Sequence, residues 1–304
     1  MYVILLLSVV AICGVLFKRA GIVPDWLRSG IYKYVYFVAS PVAVVHALVD
    51  RSNINYGSFF KFLAVNTGVY LAVFITVVIA VSRTKYKRKI AGVIAYASNT
   101  PNTVFLGFPL ILTLFHQEAF IYAVVLGTLM DALLNSIRIA IIGRQGLGKT
   151  SHAKLILKST LNPFLISLVF GILLLVSTVK LPYSILHILG FISESTSYAA
   201  LFVLGITVGT LKLKLKYKKY YALIAVGKLV LLPACVLIGS TLFGLNETAR
   251  NVGVFIAALP SAVFSLIIAA NLKLDEELAT GAVLVTTCLS VLTLTFWYFL
   301  LTNI

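Results

Sequence analysis

The sequence predicts an all-α membrane protein of ten transmembrane helices, arranged as two inverted five-helix repeats with broken fourth and ninth helices. Three observations carry this expectation. The 304 residues are 61% hydrophobic and only 11% charged, with a mean hydropathy of +1.05, whereas a soluble domain carries about 25% charged residues. A span needs ~20 apolar residues, and this length accommodates ten such runs with short connections and no soluble domain. The second five runs also repeat the first five at one fixed offset.

The apolar runs lie near residues 2–17, 34–49, 59–81, 90–115 and 119–142, and again near 161–176, 193–208, 218–240, 249–274 and 278–301. Each run of the second set starts 159 residues after its counterpart. A local match has the same spacing: Pro101-Asn102-Thr103-Val104-Phe105 and Pro260-Ser261-Ala262-Val263-Phe264 share the form Pro-x-x-Val-Phe. Because five is odd, a repeated five-helix unit must lie upside down relative to its copy, the inverted-topology repeat of many secondary transporters. The expected units are a first repeat over 1–145, a short basic cytoplasmic connector over 146–160 and an inverted second repeat over 161–304.

Charge supports that topology. The net charge of +16 is first a statement about membrane orientation rather than nucleic acid. Nineteen of the 25 lysines and arginines fall in loops after the odd-numbered spans and four in loops after the even-numbered ones; Arg138 and Lys228 lie inside spans. By the positive-inside rule both termini face outward and the basic loops are cytoplasmic. The stretch Met1 to Phe17 has no basic residue before its apolar run and is followed at once by Lys18-Arg19, so it reads as a first span rather than a cleaved signal. Cys13, Cys235 and Cys288 sit in apolar runs without metal-ligand spacing, as core cysteines do.

Function is expected at the broken helices. The fourth span contains Asn99, Pro101, Asn102, Gly107 and Pro109 within eleven residues. Proline deletes a backbone donor and clashes with the preceding turn, so an unbroken helix is not expected there. Leu259-Pro260-Ser261 interrupts the ninth span at the equivalent place. Irregular backbone at membrane depth is tolerated only where protein or a polar cavity covers it, and paired interruptions point to a transporter's binding site.

The run Asn102 to Leu110, NTVFLGFPL, resembles the Asn-x-Gly-Phe-x-Gly-x-Pro motif of the auxin efflux carrier family. Asn162-Pro163, the stretch Ala200 to Gly205 and the stretch Leu259 to Val263 extend the similarity over nearly the whole chain. The resemblance implies that the fourth and ninth helices cross mid-membrane. It also implies a transport domain of spans 3–5 and 8–10 moving, elevator-like, against a dimerising scaffold of spans 1, 2, 6 and 7, and carboxylate substrates such as auxin or small dicarboxylates. Two positions depart from the pattern: Val104 replaces the motif's first glycine, and Phe264 stands where the family often has asparagine, with Ser261 or Ser265 as substitutes.

Ionisable residues inside spans are functional candidates. Of nine acids only Asp131 is clearly mid-span. Thr128, Asp131, Asn135 and Arg138 recur at helical spacing as one polar stripe. The candidate substrate residues are therefore Asn102, Thr103, Pro101, Pro260, Ser261, Ser265 and Asn66, and the coupling candidates Asp131, Asn135 and Lys228. Arg138 and Lys228 are expected to snorkel toward the interface, and His46, His187 and Glu194 to sit near outer ends. Gly143 to Thr150 satisfies the P-loop pattern, but no acidic residue or sheet accompanies it, so no nucleotide is expected. No metal or organic cofactor is called for; a coupling proton or sodium ion is left open. The expected substrate is a small organic anion. A sodium-coupled symporter of similar architecture and a non-transporting membrane receptor are the alternatives. An intramembrane enzyme is disfavoured, since the spans hold neither paired aspartates nor His-Glu-x-x-His.

Overall fold

The computed structural model describes residues 2–49, 56–115, 117–143, 155–157, 160–177, 179 and 181–303. Among them the chain forms fifteen α-helices and no strand: α1 (Tyr2–Arg19), α2 (Asp25–Tyr34), α3 (Ser40–Val49), α4 (Tyr56–Ser82), α5 (Arg88–Ala97), α6 (Phe108–Leu114), α7 (Gln117–Leu129), α8 (Asn135–Gly143), α9 (Pro163–Val176), α10 (Tyr183–Thr210), α11 (Lys218–Val226), α12 (Leu232–Leu242), α13 (Glu247–Ala258), α14 (Phe264–Asn271) and α15 (Glu276–Thr302). Single π turns at Val35–Ala39, Met130–Leu134 and Gly227–Leu231 join α2 to α3, α7 to α8 and α11 to α12. Among the described residues, six stretches are long and apolar enough to cross a membrane: Asp25–Val49, Gly57–Ser82, Ala119–Gly143, Tyr183–Thr210, Leu215–Leu242 and Glu276–Thr302. Thr103–Leu114 and Pro163–Val176 are shorter apolar helices.

Helix starts follow local chemistry. The side-chain oxygens of Asn162, Asn246 and Asp275 each accept the backbone N–H three residues on, at 2.9 Å, and so cap α9, α13 and α15; such a cap is worth about 1 kcal/mol. Two helices begin earlier than their apolar runs: α2 opens at Asp25 after Pro24, and α10 at Tyr183 after Pro182. Hydropathy marks the part of a helix that prefers lipid, whereas the backbone ladder runs back through polar residues to the nearest proline or cap. Pro233, just after a π turn, has no N–H for the carbonyl of Leu229 four residues back. That carbonyl accepts instead from Trp297 Nε1–H at 2.9 Å.

The chain divides into two compact units. The first comprises residues 1–54, 103–129 and 161–210, the second 55–102, 130–160 and 211–304. In the first unit, α1 lies along α10 with almost no side chain between them. A Cβ on Gly205 would overlap the Ala11 carbonyl oxygen, and one on Gly14 would overlap that of Phe202. Tyr34 and Ser195 share a hydroxyl–hydroxyl hydrogen bond of 2.7 Å, and the rings of Tyr32 and Phe105 stack at 5.1 Å. In the second unit, one apolar cluster gathers Val81, Ile94, Tyr221 and Leu278, and another Phe74, Tyr96, Ile139 and Ile268. Phe170, Leu173, Phe191, Leu292 and Phe299 are exposed, as lipid-facing side chains would be.

The close approach of α1 and α10 generates a test. Gly205→Val must push two backbones apart, at a cost of about 1–3 kcal/mol by the usual penalty for overpacking, so its melting temperature in detergent should fall below wild type. Gly30→Ala, at a position where a Cβ meets nothing within 4 Å, should be neutral. Equal melting of the two variants would contradict the packing.

Candidate functional site

Two helical segments of the second unit are interrupted. α5 ends at Ala97 and α13 at Ala258, and each chain continues through a proline, Pro101 or Pro260. The interrupted stretches lie side by side as an isolated antiparallel bridge between Pro101 and Ser261. Asn102 N–H donates to Pro260 O and Ala262 N–H to Thr100 O, each at 2.9 Å. Each break thus supplies the other with one donor and one acceptor.

A broken helix leaves carbonyls without their usual donor four residues on. Several find named partners here. Ala97 O, whose normal donor would be the absent N–H of Pro101, accepts from Ser261 Oγ at 2.7 Å. Asn99 O accepts from Arg138 Nη2 at 3.1 Å. Ala257 O, which would have bonded Ser261 N–H, accepts from Lys228 Nζ at 2.5 Å, while Ser261 N–H turns to Thr286 Oγ1 at 3.1 Å. The chemistry at the breaks is therefore mostly backbone carbonyls held by side chains of other helices.

Behind the first break runs a buried polar network. Arg138 Nε and Nη2 grip Asn99 Oδ1 at 2.9 and 2.7 Å, and Nη1 donates to Asn135 Oδ1 at 3.1 Å. Tyr96 Oη donates to the same Asn135 oxygen at 3.1 Å. Asn135 Nδ2 makes a long 3.4 Å contact to Asp131 Oδ1. Asp131 thus stands two residues removed from the break, through Asn135 and Arg138.

Arg138 and Lys228 do not snorkel: their side chains are 2% and 0% exposed. The expectation fails because the breaks offer buried carbonyl and amide oxygens, which replace the water that snorkelling seeks. Neither cation pairs with Asp131, for the four ion pairs among the described residues join Lys18 and Arg28 to Asp25, and Lys214 and Lys216 to Glu277.

The other expected site residues fall as follows. Asn102 is buried, and its Nδ2 has no hydrogen-bond partner among the described residues. Asn66 donates from Nδ2 to Phe62 O at 2.9 Å, but its Oδ1 is unpartnered and lies where Gly253 has no Cβ, with 2.6 Å to an added one. The buried Ser265 hydroxyl is likewise unpartnered. Ser261 is committed to Ala97 O, and Phe264 packs on the apolar cluster around Phe74 and Tyr96. In the first unit, the Thr103 hydroxyl is buried without a partner and its methyl lies against Gly127, while the Thr128 hydroxyl is also unpartnered. His46, His187 and Glu194 line one surface pocket of that unit. Of the P-loop-like stretch, Gly143 ends α8 and residues 144–150 lie outside the described residues.

The sequence marks Asn99 only as part of the interrupted fourth span, and Ser98, Thr286 and Trp297 are not among the expected site residues. Their signal was available in part: a proline at a given position orphans the carbonyl four residues earlier, which marks Ala97 and Leu229 as sites needing a donor.

Comparison with known proteins identifies the family. The profile of a family described as Membrane transport protein matches residues 1–298. The chain is also 26% identical to a protein of Methanocaldococcus jannaschii named Uncharacterized transporter MJ1031, over 100% of this chain and 99% of that protein. A family match over nearly the whole length, on an all-helical chain with six apolar helices long enough to span a bilayer, makes this protein an integral membrane member of the membrane transport protein family, of the auxin efflux carrier type.

Proposed function

We infer that the protein is a secondary transporter of a small organic anion, most simply a carboxylate, bound at the paired breaks. The observation that carries this reading is the Asn102 amide. Its Nδ2 is a buried donor with no partner among the described residues, one residue from the Pro101–Ser261 bridge. An orphaned donor at depth is costly unless a ligand acceptor completes it, and a carboxylate oxygen is such an acceptor. Within the same unit, Ser265 adds a hydroxyl unpartnered among the described residues to the proposed set. Buried cations at both breaks, with Asp131 as the mid-span acid, favour an anion over a sodium ion, which would call for gathered carboxylates and carbonyls.

The proposed architecture is ten spans in two inverted repeats, with the fourth and ninth helices broken at Pro101 and Pro260 and crossing there. Both termini face outward, spans 3–5 and 8–10 move against spans 1, 2, 6 and 7 by alternating access, and two copies associate through the latter. Asp131 is the proposed coupling acid, reached from the site through Asn135 and Arg138.

Two measurements test this. In a thermal-shift screen of organic acids on purified protein, Asn102→Ala should lose a charge-assisted hydrogen bond worth about 1.5–3 kcal/mol, roughly ten- to a hundredfold in affinity. Since the side chain removed is an unpartnered donor, the ligand-free melt should not drop. Wild-type affinity in that variant would place the site elsewhere. For topology, cysteines at Lys87 and Lys216 should be shielded from an impermeant thiol reagent in intact cells, and one at Glu118 should react; the reverse pattern would invert the assignment.

A further inference from the structure

Resting on the reading of the breaks as an anion site, we propose that Lys228 is a specificity-determining residue: its ammonium is the fixed countercharge of the transported anion. The residue pair Gly227-Lys228 touches both breaks. A Cβ on Gly227 would lie 3.4 Å from Ser98 Cβ, three residues before Pro101. The Lys228 Nζ holds Ala257 O, three residues before Pro260.

The side chain is fully buried, and Ala257 O is the single acceptor it reaches among the described residues. An ammonium has three hydrogens to donate, so two remain uncommitted. No carboxylate lies within ion-pair distance among the described residues. Arg138 is in a different position, because its guanidinium is bonded to Asn99 and Asn135 from three nitrogens.

A carbonyl freed by a break does not need a charge to satisfy it. Ala97 O is held by the neutral Ser261 hydroxyl, and Leu229 O by the neutral Trp297 indole. A lysine at Ala257 O therefore does more than cap. Burying an uncompensated cation in a span is costly, and an anion at the adjacent break supplies the missing charge and takes the free hydrogens.

The test uses purified full-length protein in detergent, with phenylacetate and succinate as probes, each beside its uncharged amide. Wild type should bind at least one carboxylate at least tenfold more tightly than the matching amide; equal affinity for acid and amide overturns the proposal, whatever the variants do. Lys228→Met keeps the length of the side chain and removes its charge. It should lose at least tenfold in carboxylate affinity while melting, without ligand, at or above wild type, and Lys228→Arg should recover part of the affinity. A purely structural cap predicts the opposite pair, a lowered ligand-free melt with carboxylate affinity kept, and that result overturns the proposal. If Asn102→Ala weakens binding while Lys228→Met does not, the anion site stands and the role of Lys228 falls. If wild type binds neither carboxylate nor any other organic acid, both fall together.

Discussion

The constraint on which the second unit depends is that backbone groups freed where the protein is buried must find partners inside it. Pro101 and Pro260 end two helical ladders, and each ending would leave carbonyls and N–H groups without water to bind. The two interrupted stretches meet this need first by pairing with each other, through Asn102 N–H to Pro260 O and Ala262 N–H to Thr100 O. Side chains then take carbonyls that remain: Ser261 of the other break at Ala97, Arg138 of α8 at Asn99, and Lys228 of the π turn before α12 at Ala257. An interruption of one of these helices alone would lack the partners that the other supplies.

That solution brings unusual chemistry to the middle of an apolar protein. Cations are favoured near helix C-termini, where the backbone dipole leaves partial negative charge. Arg138 and Lys228 sit beside the C-terminal ends of α5 and α13. The dipole offsets part of their charge, not all of it, and Asn135 links Asp131 to Arg138. The proposed anion completes this arrangement, so that substrate binding and charge balance become one event in a transporter of this family.

Much of the fold was legible because it follows from backbone chemistry. The apolar runs marked the helices, and the prolines marked both interruptions. The starts of α2 and α10 were misplaced because hydropathy reports lipid preference while a helix continues until a proline or cap stops it. Arg138 and Lys228 were misread for a different reason. Snorkelling assumes that water at the interface is the best partner for a long cation, and a sequence does not display which carbonyls a distant break has freed. Asn99 is visible in the sequence as part of the break but not as a partner of Arg138, because its role as a double acceptor depends on residues 39 positions apart meeting. Ser261, expected to donate to substrate, instead pins the two breaks together.

The central claim is that an organic anion binds where the two breaks pair. An experimental structure of the protein with a brominated carboxylic acid, its bromine located by anomalous scattering, tests this most directly. The proposed site predicts carboxylate density within hydrogen-bond distance of Asn102 Nδ2, beside the Pro101–Ser261 bridge. Bromine ordered only elsewhere, for instance in the surface pocket of His46 and His187, with Asn102 still unpartnered, would contradict it.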